Sequence, residues 1–91
     1  MVNYRYIVFG RSDCNFCCLA LDFCEAKGIE SLFLDFKDNR EILEDYKDFY
    51  NHPTVPIILA NNLETGHTRK LGGYKEFIEE MVKQTNKKEG V

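Results

Sequence analysis

All four cysteines of this 91-residue chain, Cys14, Cys17, Cys18 and Cys24, fall between positions 14 and 24. Crosslinks within so short a segment close only small loops and cannot staple distant parts of a chain together. The chain must therefore hold itself by a hydrophobic core, and at this length it buries only about 60–65% of its extended surface on folding. That leaves room for one domain, spanning 1–91. Clustered cysteines also point to a reducing compartment, where a Cys-x-x-Cys pair such as Cys14 and Cys17 carries redox or metal chemistry.

Composition narrows the partners. With 44% hydrophobic and 30% charged residues the chain reads as an ordinary soluble globule. Its net charge of −3 and scattered 12 Lys and Arg give no basic footprint for nucleic acid. Met1 to Tyr6 lacks the apolar stretch and cleavage site of a signal peptide, and the apolar run Ile57 to Ala60 is too short to cross a bilayer. A cytoplasmic protein without membrane association is expected.

The pattern along the chain alternates. Tyr4 to Phe9, aromatic and β-branched and closed by Gly10, predicts a strand. Ser12 or Asp13 can cap a helix from about Asn15 to Lys27, with Cys17, Ala20, Leu21 and Cys24 on one face and Gly28 as its stop. Ser31 to Phe36 reads as a buried strand. A second helix over Arg40 to Phe49 carries Ile42, Leu43, Tyr46 and Phe49 or Tyr50 on its apolar face, and Asn51-His52-Pro53 breaks it. Val55 to Ala60 and His67 to Leu71 form a hairpin around Asn61 to Gly66. Gly72-Gly73 leads into a last helix over Tyr74 to Gln84, with Phe77, Ile78, Met81 and Val82 facing inward and a frayed tail over 85–91. The order β-α-β-α-β-β-α gives an α/β fold, a small mixed sheet packed between helices, which resembles the thioredoxin-like architecture.

Cys14 and Cys17 carry the chemistry. A thiolate attacks a disulfide, and a helix N-terminus stabilises that charge through unpaired N–H groups and the positive end of the dipole. Arg11 adds a counter-charge, whereas Asp13 opposes it unless its side chain is spent on capping. Residues three apart on a helix are neighbours, so Cys17 can resolve a mixed disulfide on Cys14. A zinc site would need further ligands from Cys18, Cys24, His52 and His67, which form no second close pair. No metal is expected. Cys24 reads as a small core hydrophobe, Cys18 as a surface thiol pointing away from the Cys17 stripe, and His52 as a solvated loop histidine on the rim.

Three separated signals then carry a resemblance: Arg11-Ser12-Asp13-Cys14-Asn15-Phe16-Cys17, Thr54-Val55-Pro56, and Gly72-Gly73 before Tyr74. In this order the chain resembles the glutaredoxins from Tyr4 to about Val82. The resemblance implies a dithiol enzyme that reduces protein disulfides and glutathione mixed disulfides, with Cys14 and Cys17 catalytic. It implies glutathione as co-substrate, no tightly bound cofactor, and Arg11, Phe16, Thr54, Val55, Pro56, Gly73 and Tyr74 as the glutathione-binding residues. Pro56 would carry a cis bond that turns the Val55 backbone toward the cysteinyl unit of glutathione. The helix N-terminus after Gly72-Gly73 would take the γ-glutamyl carboxylate, and Arg11 the glycyl carboxylate. Disulfide-bearing proteins, ribonucleotide reductase among them, are the implied partners of a monomer.

Departures from the pattern sit close to the thiol and to the glutathione groove. Asn15 and Phe16 replace Pro and Tyr, Lys75 stands where the family has an acidic residue, with Glu76 next to it, and Ile57 replaces a polar residue. Loss of the motif proline leaves open an iron-sulfur dimer, held through Cys14 of two subunits and two glutathiones. A thioredoxin-like protein reduced by a flavoenzyme is the other redox alternative; the absence of Trp, together with Arg11 and Gly72-Gly73, argues against it.

Overall fold

Aromatic and β-branched residues from Tyr4 to Gly10 form β1, which lies inside the sheet and is therefore apolar on both faces. The computed structural model describes the backbone of residues 4–89 and the side chains of 4–83. Its elements follow as α1 (Asn15–Ala26), β2 (Ser31–Asp35), α2 (Arg40–Phe49), β3 (Ile57–Asn62), β4 (Thr68–Gly72) and α3 (Tyr74–Glu89), in the expected order. The sheet runs β2-β1-β3-β4. β1 pairs parallel with β2 and antiparallel with β3, setting Val8 opposite Ile58 and Phe9 opposite Ile57. β3 and β4 are antiparallel neighbours, joined through residues 63–67, with Gly66 at φ +77°.

Side chains alternate across the sheet and so divide the core in two. Tyr6, Val8, Ile58 and Ala60 meet Ala20 and Cys24 of α1 and Phe77 and Met81 of α3 on one face. Phe9, Ile57 and Leu59 meet Tyr46 and Tyr50 at α2 on the other, where the Phe9 and Tyr46 rings stand edge to face at 4.8 Å. At the end of α1, Gly28 takes φ +66°, Ile29 N–H donates to Cys24 C=O at 2.8 Å and Gly28 N–H to Glu25 C=O at 3.2 Å, a Schellman closure.

Several expectations are corrected. β2 is an edge strand and half-exposed, with Leu32 46% accessible. On α2 the inward stripe is Leu43, Tyr46 and Tyr50; Ile42 and Phe49 lie about 100° round the helix and face solvent. Val82 is displaced from Met81 in the same way and is half-exposed. β3 begins at Ile57 because Pro56 has no N–H for the ladder. α3 runs past Gln84 to Glu89, since no Pro or Gly interrupts the sequence before Gly90. Residues 90–91 of the expected tail lie outside the described residues.

Candidate active site

The chain leaves β1 at Gly10 and enters α1 at Asn15, which puts Cys14 at the helix entrance. Neither Ser12 nor Asp13 caps α1. Cys14 itself, a partly exposed residue, is the N-cap, with an extended backbone (φ −102°, ψ 122°), and its sulfur accepts the Cys17 N–H at 3.3 Å. Ser12 N–H donates instead to Asp35 Oδ1 at 2.9 Å. The Asp13 carboxylate is held between Arg40 Nη2 at 3.2 Å and Arg11 Nε at 3.8 Å. Two guanidiniums thus offset the carboxylate beside Cys14, and Arg11, expected as a counter-charge to the thiol and as the partner of a glycyl carboxylate, is shared with Asp13.

Cys17 is fully buried, and its sulfur packs so closely on Gly10 that a Cβ there would overlap it. Burial first, and hydrogen bonding with Cys14 second, push its thiol up to about 12. Cys24 is buried among apolar side chains, where desolvation raises its thiol pKa as well. Cys18 is only half-buried and its Sγ lies 3.5 Å from the Ser12 carbonyl oxygen.

Six of the residues expected to bind ligand, Phe16, Thr54, Val55, Pro56, Gly73 and Tyr74, line one groove of about 440 Å³. Val55–Pro56 is cis. Phe16, 55% exposed, leans on Tyr74 with ring centroids 5.7 Å apart, so α1 and α3 share one aromatic wall. Arg11 is not part of this lining. His52, Lys75 and Glu76 complete the groove. His52 is not a solvated loop histidine: its Nε2 is buried without a hydrogen-bond partner and sits beside Gly73. At the helix entrance expected to take a ligand carboxylate, the Gly73 N–H donates to Glu76 Oε1 at 2.7 Å. An acidic residue at the third helical position commonly reaches back to the N-cap, and that rule finds Glu76 in the sequence. Among the described residues, no three His, Cys, Asp or Glu side chains converge to hold a metal ion, and no helix is long and apolar enough to cross a membrane.

Superposition on solved structures decides the architecture. Wheat glutaredoxin matches with a TM-score of 0.64 and 21% identity, over 81% of this chain and 68% of that one. Glutaredoxin 1 from Francisella tularensis, crystallised with cacodylate, matches with 0.59 and 20%, over 91% and 98%. The chain has the glutaredoxin fold. No protein-family model matches its sequence, and no curated protein does. In this fold the groove is assembled from the first turn of α1, the turn before β3 and the start of α3.

Proposed function

We propose that this chain is a glutathione-linked thiol-disulfide oxidoreductase of the glutaredoxin family, with Cys14 attacking and Cys17 resolving. The observation that carries this reading is the placement of Cys14, a partly exposed residue at the N-cap of α1, with the Cys17 thiol one turn further in. The Cys14 thiolate attacks one sulfur of a substrate disulfide; that S–S bond breaks, and the other sulfur leaves as a thiolate. Cys17 then gives up its proton, attacks Cys14 Sγ, and expels the second substrate thiolate as the Cys14–Cys17 disulfide closes. Glutathione reopens that disulfide in two exchanges, and ends as oxidised glutathione. Release of glutathione from a mixed disulfide needs Cys14 alone.

Burial keeps Cys17 protonated before attack. Once Cys14 is bonded to a substrate sulfur, the charge that opposed a Cys17 thiolate is gone, while burial still raises the thiol and Arg11 still lowers it, so the intermediate favours resolution. The groove offers glutathione the Val55 backbone and the Phe16–Tyr74 wall. Disulfide-bearing cytoplasmic proteins are its macromolecular substrates.

The test is turnover of a mixed-disulfide and a protein-disulfide substrate with glutathione, glutathione reductase and NADPH. Wild type should turn over both, Cys14→Ser neither, and Cys17→Ser should be impaired on the protein disulfide only. Turnover with thioredoxin reductase but not with glutathione would overturn the reading.

A further inference from the structure

Three thiols crowd the first turn of α1, and they differ in their access to solvent. Cys17 is fully buried against Gly10, whereas Cys14 and Cys18 are partly exposed. In that buried position the Cys17 thiol is already hydrogen-bonded with Cys14. Cys18 is packed less closely. It stands four residues after Cys14, and its backbone N–H donates to the Cys14 carbonyl at 3.1 Å. Its thiol donates to the Ser12 carbonyl, on the loop leading into Cys14, rather than standing free on the far side of the helix.

Residues four apart on a helix are about 6 Å apart along the axis, inside the roughly 4.4–6.8 Å Cα window of disulfides. Cys14, as N-cap, has an extended backbone rather than a helical one, and its side chain is free of the rotamer limits of a helix interior. The Ser12 contact is a weak sulfur hydrogen bond and yields readily. The geometry points to Cys18 as a second resolving thiol, which closes a Cys14–Cys18 disulfide in place of, or in exchange with, Cys14–Cys17.

This inference rests on the proposed attack by Cys14. The Cys18 thiol gives its proton to water and the thiolate attacks Cys14 Sγ of the mixed disulfide; the bond to the substrate sulfur breaks, and the substrate thiolate leaves and takes a proton from water. Cys14 and Cys18 are together oxidised by two electrons and the substrate disulfide is reduced by two. Starting from the closed Cys14–Cys17 pair, the same attack expels Cys17 as a thiolate, which is reprotonated in its buried site with no net redox change. That exchange returns Cys17, whose thiol burial pushes up to about 12, to the form its site favours.

Full-length Cys17→Ala and Cys17→Ala/Cys18→Ser, each reduced, are treated with oxidised glutathione while protein mass and free glutathione are followed. Cys17→Ala should take up one glutathione and then lose it in a first-order step independent of protein concentration. It should end two hydrogens lighter, with Cys14 crosslinked to Cys18, and the double variant should retain its adduct. Retention in both variants, or a crosslink to Cys24, overturns the second-resolver role and leaves Cys14 as the attacking thiol. Failure of either variant to take up glutathione overturns the parent reading as well. Should Cys17→Ala not fold, wild type decides: brief oxidation, acid quenching and fragmentation between positions 17 and 18 should reveal a Cys14–Cys18 fraction, and Cys14–Cys17 alone overturns the inference.

Discussion

The Cys14 sulfur accepts the backbone N–H of Cys17 at 3.3 Å, so the proposed nucleophile also caps the helix that carries its partner. Serine preserves a cap of this kind and alanine removes it, at about 1 kcal/mol. Cys14→Ser should therefore be inactive yet at least as stable as wild type, and Cys14→Ala inactive and less stable by about that amount. Urea unfolding of the three reduced proteins checks it. Equal stability of the Ser and Ala variants would show that the sulfur contributes nothing as a cap.

Asp35 ties the Cys14 loop to the turn before α2, accepting Ser12 N–H at 2.9 Å and Lys37 N–H at 3.0 Å. These donors, Lys37 first and Ser12 next, hold its carboxyl below the usual 3.8. With a depressed folded pKa, the tether is fully present above pH 3.8 and is lost as pH falls below it. Asp35→Ala should therefore lower the protection of the Ser12 amide, taken relative to its intrinsic exchange rate, at neutral pH, and wild-type protection should fall to the same level only in acid. Identical Ser12 exchange in both proteins at neutral pH would dismiss the tether.

Much of this was legible locally. The stop of α1 at Gly28 and the end of α2 before Asn51-His52-Pro53 follow from breaking residues close by. Thr54-Val55-Pro56 and Gly72-Gly73 announced themselves as short motifs. What escaped depended on partners distant in sequence or on place within the sheet. Asp13 meets Arg40, 27 residues on, so no local pattern reveals that its charge is offset. Leu32 and Phe33 have the apolar character of a central strand, but β2 lies at the edge, and strand order is not written in any one strand. Cysteine is not among the usual capping residues, which hid the role of Cys14.

Gly72 and Gly73 are adjacent but not equivalent. Gly72 has φ +125°, and a Cβ there would come within 2.7 Å of Glu76 Oε1 and 2.9 Å of Glu76 Cγ. At Gly73 the nearest atoms to a Cβ, Glu76 Oε1 and His52 Nε2, are both 3.4 Å away. Gly72→Ala should destabilise the protein by about 1–3 kcal/mol through backbone strain. It should also displace Glu76 from the Gly73 N–H, while Gly73→Ala leaves stability within about 1 kcal/mol of wild type. Thermal unfolding orders the two variants, and the reverse order would contradict the placement of Glu76.

Cys17 couples stability to alkaline pH. Its thiol is raised from 9.0 to about 12, by burial first and by its hydrogen bond with Cys14 next. A raised folded pKa means that the contribution is fully present below pH 9.0 and is lost as pH rises toward about 12. In that window the unfolded chain has given up a proton that the folded chain still holds, so reduced wild type should lose up to about 1.4 kcal/mol per pH unit on this account. Tyrosines and lysines titrate there too, but they are common to wild type and Cys17→Ala and cancel in the difference. The stability difference between the two proteins should therefore shrink as pH rises, measured by urea unfolding in excess reductant. Parallel curves would mean that Cys17 is ionised as readily folded as unfolded. The same proton must leave before Cys17 can attack Cys14, so release of substrate from the mixed disulfide should accelerate with pH, in a window below that of the reduced protein because the Cys14 contribution to the shift is then gone.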